Sequence, residues 1–188
     1  MQMPMHMSRG RLPTAAIGLV LVLVVGTLAF ALNRGIGGKA DGRSDAVGRQ
    51  LPPFSLERFD GTSFNLQEHA GGPVFVYFWA SWCVPCQAEA PVIQKLWPEY
   101  QKRGYTFVGV NIWDAESDAR RFLGQQQLTF PVMADTNGRV YVEYGVDALP
   151  DSYFLESGLR ARTRYQGALT EQTLRELLDE LARPKGAS

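Results

Sequence analysis

Residues 73–79, Pro-Val-Phe-Val-Tyr-Phe-Trp, carry no charge, and every position after the proline is β-branched or aromatic. A short unbroken run of this kind reads as a central strand covered on both faces. It demands a layer of structure above and below, which a helical bundle or a one-faced sheet does not supply. Elements on either side fit that demand. Phe54-Ser55-Leu56 and Ser63–Leu66 flank the turn pair Asp60-Gly61, so a β-hairpin precedes the strand. Pro85 to about Arg103 follows as a helix, with Val92, Leu96 and Tyr100 recurring every four residues and a kink expected at Pro91.

Tyr105–Ile112 is the next buried strand, Glu116–Gln126 a helix carrying Ala119, Phe122 and Leu123, and Phe130–Ala134 a short strand closed by Thr136-Asn137-Gly138. Val140–Tyr144 has strand-type residues by propensity. Ser152–Glu156 and Leu159–Tyr165 form a hairpin about Ser157-Gly158, and strict alternation puts Arg160, Arg162 and Arg164 on one solvated face. Thr170 caps a last helix whose Leu174, Leu177, Leu178 and Leu181 make one stripe, with Pro184 closing it. The pattern specifies an α/β sandwich around a mixed central sheet, with helices on both faces.

The N-terminal part is different. Ala15–Leu32 is an uncharged run of 18 residues, and at ~1.5 Å per residue it matches the hydrocarbon thickness of a bilayer. It reads as a single-pass signal-anchor within residues 1–34, with a cytoplasmic tip. The competing reading is an export signal cut after Ala31, since Ala29-Phe30-Ala31 has the small-x-small form. The methionines and His6 at the tip fit alternative starts better than copper binding. Residues 35–50, glycine-rich and of alternating charge, read as a flexible linker, and 51–188 as the folded domain. Basic residues flank the apolar run on both sides, so charge alone does not orient it.

Composition removes several functions. Residues 51–188 hold 13 basic and 17 acidic side chains, a net of −4, so no nucleic-acid surface is expected. The only two cysteines, with His6 and His69 as the only histidines, make a four-ligand metal site improbable on chemical grounds, so no metal and no cofactor is expected. His69 reads as an exposed residue at the end of the hairpin segment, away from any site.

The chemistry gathers at Trp82-Cys83-Val84-Pro85-Cys86, on the strand-to-helix turn. Cys83 falls at the helix N-terminus, where free backbone N–H groups and the dipole favour a thiolate. Cys86, three residues on, shares the same side of the first turn. Pro85 sits where its missing N–H costs nothing. Redox chemistry at a C-x-x-C pair is the reading this context favours. Trp82 reads as a shield and flat contact surface, and Trp79 as core.

Phe78–Pro91 (FWASWCVPCQAEAP), Val108–Ile112 and Tyr144–Glu156 (YGVDALPDSYFLE) resemble the thioredoxin-fold TlpA/ResA/CcmG group of membrane-tethered thiol–disulfide oxidoreductases, over about residues 51–183. The resemblance implies a thioredoxin-like sandwich with an N-terminal hairpin and a βα insertion, preceded by one transmembrane helix. It implies a cis-proline at Pro150 opposite the cysteines, and a helix rather than a strand at Gly138–Tyr144. Cys83 and Cys86 would form the redox-active disulfide, with Trp82, Val84, Pro85, Leu149 and Pro150 meeting the substrate. Two departures stand out. Tyr77 replaces the buried aspartate of cytoplasmic-type thioredoxins, and Glu89 is a catalytic candidate for proton relay to Cys86, against the alternative of a solvated helix-surface carboxylate. Asp151, after the proline, reads either as a charge selector for substrate or as plain loop.

The implied function is reduction of protein disulfides on the extracytoplasmic side, apocytochrome c cysteines being the foremost substrates. Electrons would come from a membrane donor of DsbD/CcdA type. A DsbA-type oxidase is the main alternative. A peroxiredoxin-type peroxidase would need Ser or Thr where Ala80 stands, and a Sco-like copper module would need C-x-x-x-C and a later histidine.

Overall fold

The computed structural model describes residues 18, 20, 21, 23–27 and 46–183. Residues 1–41 and 42–188 form separate units. Those described among 18–27 are helical with exposed apolar side chains. Among the described residues no helix is long and apolar enough to cross a membrane. Much of the expected span 15–32, the N-terminal tip, residues 35–45 of the linker and Pro184 lie outside the described residues.

The second unit is built on a five-stranded sheet of order β5-β4-β3-β6-β7. Its strands are β3 (Val74–Trp79), β4 (Thr106–Asn111), β5 (Val132–Ala134), β6 (Asp151–Glu156) and β7 (Arg160–Gln166). A separate antiparallel hairpin, β1 (Ser55–Glu57) with β2 (Ser63–Asn65), opens the domain. β3, β4 and β5 are mutually parallel, while β6 and β7 return antiparallel, so the sheet is mixed as expected.

β3 is buried along its whole length, and its alternation divides the core in two. Phe75, Tyr77 and Trp79 face one side with Phe107 and Phe154. There they meet Ile93, Leu96, Trp97 and Tyr100 of helix α1 (Val84–Lys102), Ala119 and Phe122 of α2 (Glu116–Gln126), and Leu174, Leu178 and Leu181 of α4 (Glu171–Leu181). Val74, Val76 and Phe78 face the other side, against Val140 and Tyr144 of α3 (Arg139–Tyr144) and Phe54, Phe64 and Leu66 of the hairpin segment. Each such side chain, fully buried, contributes on the order of 1.5–3 kcal/mol. Helices therefore cover both faces. The 139–144 segment is helical against its local propensity because Val140 and Tyr144, four apart, both reach the second core.

Several expectations need correction. Residues 46–50, counted with the linker, lie along the edge of β7. Gly48 N–H donates to Ala161 O at 2.7 Å, Ala161 N–H to Arg49 O at 2.8 Å, and Ala46 is buried. They cover a sheet edge that would otherwise offer free ladder groups. His69 is not freely exposed. It is half-buried, stacked on Phe64 with ring centroids 4.9 Å apart, and Nδ1 lies 3.2 Å from Thr106 Oγ1. Val92 and Leu177 are only partly buried, so the stripes of α1 and α4 run through their neighbours.

The largest correction concerns Arg164. It is buried rather than solvated, because β7 bulges against β6. Phe154 pairs with Thr163 but Leu155 with Ala161, so one residue is skipped and the side-chain alternation reverses. Arg160 stays in solvent and Arg162 is half-buried, whereas Arg164 turns inward over the Tyr153 ring, 5.3 Å from its centroid. Its Nε donates to both oxygens of the fully buried Asp151 at 3.0 Å, and one terminal nitrogen donates to Gly145 O at 2.9 Å. Asp151 is therefore an internal ion-pair partner, neither a charge selector at the surface nor a plain loop residue.

Replacing only Arg164 leaves a buried carboxylate without its counter-charge. Arg164→Met should lower unfolding stability by about 3–5 kcal/mol, and adding Asp151→Asn should restore most of it. Urea unfolding with the disulfide intact measures both. Equal losses in the single and double variants would show packing, not the ion pair, to be the main contribution.

Candidate active site

The site forms where β3 ends. Chain direction along β3 delivers residues 80–83 to the carboxyl end of the central strand, and α1 begins at once behind them. Cys83 is the N-cap of α1, with extended φ −76° and ψ 102°, and its Sγ accepts the Cys86 N–H at 3.3 Å. The sulfur thus occupies the place where a helix offers unpaired N–H groups to an anion. Cys83 and Cys86 are joined as a disulfide, with Cα atoms 5.2 Å apart. Cys83 keeps a thin exposed edge of 4%, whereas Cys86 is wholly covered, so an incoming disulfide meets Cys83 first.

Leu149–Pro150 is a cis peptide, as the resemblance implied. The antiparallel register of β3 with β6, Phe78 opposite Asp151, sets Pro150 beside Trp79 at the cysteine end of the strand. Leu149 packs against the core cluster that includes both cysteines. The Gly167 N–H donates to Pro150 O at 2.9 Å and, with the Asp151–Arg164 pair, holds this turn from beneath. Trp82 and Val84 are exposed on the rim at 55% and 72%, and Pro85 is exposed beside them. Trp79 is core. Trp82, Cys83, Val84, Pro85 and Cys86 stand together at the start of α1, Leu149 packs on the cluster that holds the cysteines, and His69, beside Thr106 at the start of β4, stands at the other end of the sheet.

Glu89 is not a solvated surface carboxylate. One turn after Cys86, on the inner side of α1, it is 1% exposed. Its Oε2 accepts the Leu169 N–H at 2.6 Å, and Oε1 has no hydrogen-bond partner. Loss of hydration pushes its pKa from 4.5 up to about 7, with the Leu169 N–H and the Tyr77 hydroxyl partly opposing that. Tyr77, buried where a carboxylate was absent from the sequence, donates its hydroxyl to Cys86 O at 3.3 Å. Burial, reinforced by the charge of nearby Glu89, raises the Tyr77 pKa well above the usual phenol value, so it remains a donor. A carboxyl that changes charge near neutrality thus sits behind the covered cysteine.

Sequence reasoning missed a clamp on the other side. Asp114, just beyond β4, accepts the Ser81 N–H at 2.6 Å, the Ser81 hydroxyl at 2.8 Å and Asn111 Nδ2 at 2.9 Å. Trp82 Nε1 donates to Trp113 O at 2.8 Å, and Gln87 Nε2 to Ser81 O at 2.8 Å. These bonds fix the two residues that lead into Cys83. Trp113 itself has φ +53°, an uncommon conformation for a bulky residue, and its ring is 45% exposed. Asn111 and Asp114 were visible as polar residues around a strand end, but nothing local pointed them at Ser81.

The chain is similar to known proteins. The model for the AhpC/TSA family matches residues 47–163. The thiol–disulfide oxidoreductase ResA of Oceanobacillus iheyensis is 34% identical over 87% of this chain and 86% of its own. ResA of Bacillus cereus is 28% identical over 87% of this chain and 93% of its own. A Chlorobium tepidum crystal structure, assigned as a thiol:disulfide interchange protein DsbE, superposes with TM-score 0.68 at 28% identity, covering 73% of this chain and 99% of that one.

The raised pKa of Glu89 carries a sign. An unfolded carboxyl ionises near 4.5 and the folded one near 7, so ionisation opposes folding. Stability is fully present below about pH 4.5 and falls by about 3 kcal/mol as pH rises through 7. Glu89→Gln should flatten that part of the stability profile in denaturant titrations of the oxidised protein. The same variant should slow exchange and remove the inflection near pH 7 from its pH–rate profile. An unchanged rate profile returns Glu89 to a purely structural role.

Proposed function

From the premise that this chain belongs to the AhpC/TSA family and is a thiol–disulfide oxidoreductase with a thioredoxin-like fold, we propose that it acts as a reductant of protein disulfides on the extracytoplasmic side of a membrane. The observation that carries the reading is the asymmetry of the pair: Cys83 at the rim on a helix N-terminus, Cys86 covered behind it. In the reduced state the Cys83 thiolate attacks one sulfur of the target disulfide, and a target thiolate leaves. Cys86 then gives up its proton and attacks Cys83 Sγ. The second target sulfur departs, and the Cys83–Cys86 disulfide forms. Two electrons have passed to the target, which ends as a dithiol. Glu89, whose pKa burial raises to about 7, would take the Cys86 proton in this direction and return it when the enzyme is recharged.

Trp82, Val84 and Pro85 on one side and Leu149-Pro150 on the other make the contact surface for the target. The backbone beside Pro150 would hold an extended segment of the target by strand-like hydrogen bonds. Recharging needs a dithiol donor, and one embedded in the membrane, of DsbD/CcdA type, suits a domain tethered by the 15–32 segment. Tethering raises the local concentration of both partners. Apocytochrome c cysteines are the substrates we favour, as the resemblance to the TlpA/ResA/CcmG group implies. Peroxidase chemistry finds no support at the site, since Ala80 stands three residues before Cys83.

Cys86→Ser should accumulate mixed disulfides with target proteins, because the first attack proceeds and the release does not. Cys83→Ser should trap none. In intact spheroplasts added protease should digest the domain, and thiol trapping in cells should find the pair mostly reduced. Protection from protease rejects the location, and a mostly oxidised pair with its donor present turns the proposal toward the oxidase.

A further inference from the structure

Beside the cysteine rim, at the carboxyl ends of the parallel strands β4 and β5, lies a groove of about 570 Å³. Crevices at such strand ends are where α/β sheets take ligands. Its lining includes Asn111, Trp113, Asp114, Asp135, Asn137 and Tyr141. Asp114 and Asp135 are among its lining residues, and no Lys, Arg or His lines it. The nearest base in sequence, Arg139, is engaged with Glu143 at 2.8 Å.

Asp135 points to an occupant. It is 5% exposed, its Oδ2 accepts the Tyr141 N–H at 2.9 Å, and its buried Oδ1 has no partner. A buried carboxylate oxygen without a donor is costly, so a donor entering the groove gains more than one meeting solvent. The walls suit a cation as well. Trp113 and Tyr141 meet edge to face, ring centroids 5.1 Å apart, and present aromatic surface to the groove. Among the described residues no cluster of three or more His, Cys, Asp or Glu could hold a metal ion. An organic cation on a flexible stem fits the chemistry better.

The groove joins the active site through Trp113, whose carbonyl takes the Trp82 indole N–H. A target segment lying over Trp82 therefore continues into it. An extended chain advances ~3.3 Å per residue, so a side chain two to four residues from the attacked cysteine reaches about 7–13 Å along the surface, the range the test scans.

We propose that this groove is a specificity subsite for a basic side chain, Lys or Arg, flanking the target disulfide. The inference rests on the reading of the chain as a reductant of protein disulfides and names a feature of its substrates. The test uses the full chain, reduced with dithiothreitol, and a set of peptides with one internal disulfide. The peptides differ only in carrying Lys, Gln or Glu at one position two to four residues from a cysteine. The Lys peptide should react with kcat/KM roughly tenfold above Gln, corresponding to about 1.4 kcal/mol. Glu should rank below Gln, and the preference should shrink with added salt.

The difference should lie in KM. Asp135→Asn and, separately, Tyr141→Leu should each bring the Lys-to-Gln ratio toward one. Equal rates for the three peptides with the unmodified protein would overturn the subsite, without reliance on any variant. A preference that survives both substitutions would overturn its location here. Failure to reduce any of the peptides would instead sink the underlying reductant reading, and the subsite with it.

Discussion

Everything at the site depends on β3 being shared between two cores. Phe75, Tyr77 and Trp79 belong to one and Val74, Val76 and Phe78 to the other, so a slip of one residue would reverse all six and empty both. That double constraint fixes where the strand ends, and hence where the four residues of the turn deliver Cys83. The parallel partner β4 and the antiparallel partner β6 are pinned to the same register. Asp114, beyond β4, and Pro150, before β6, consequently arrive at the same end of the sheet. The cysteine turn is thus held from both flanks by elements whose positions one strand determines.

The chemistry was legible because it is local. A helix start, a proline in its first turn and two cysteines three apart are all contained in five residues, and the structure places them as that spacing requires. The sandwich was legible because the unbroken β-branched and aromatic run of β3 and the helical periodicity of α1 and α4 are strong. What escaped the sequence depends on pairing between distant segments. Alternation along β7 predicted three solvated arginines, and a single bulge against β6 turned Arg164 inward. Residues 46–50 have the composition of a tether, yet the free edge of β7 recruits their backbone, an interaction that composition does not record. The Asp114 clamp joins residues 33 apart and is invisible to any window shorter than that.

The fate of Glu89 follows the same logic. Its position three residues after Cys86 was evident, but whether it faced water depended on what covers α1. The cover is the segment before α4, where Leu169 supplies the N–H that Glu89 accepts. Burial sets the raised pKa of Glu89, and a residue from the C-terminal part of the domain moderates it through this hydrogen bond. Truncating or loosening α4 would be felt at the cysteines through this contact.

The two buried carboxylates, Asp151 and Glu89, show how one fold uses the same group in opposite ways. Burial pushes both upward in pKa, and at Asp151 the Arg164 guanidinium pulls back with paired hydrogen bonds. A guanidinium keeps its proton at any ordinary pH, so Asp151, beside the Pro150 turn, does not lose its counter-charge as pH changes. Glu89 has no cation beside it, only N–H and O–H donors, and these are too few to offset desolvation. Its charge is therefore free to change within the working range of a thiol. The arrangement gives the two carboxylates different settings: the paired one ties down the strand that follows the Pro150 turn, and the unpaired one is buried one turn of α1 behind Cys86.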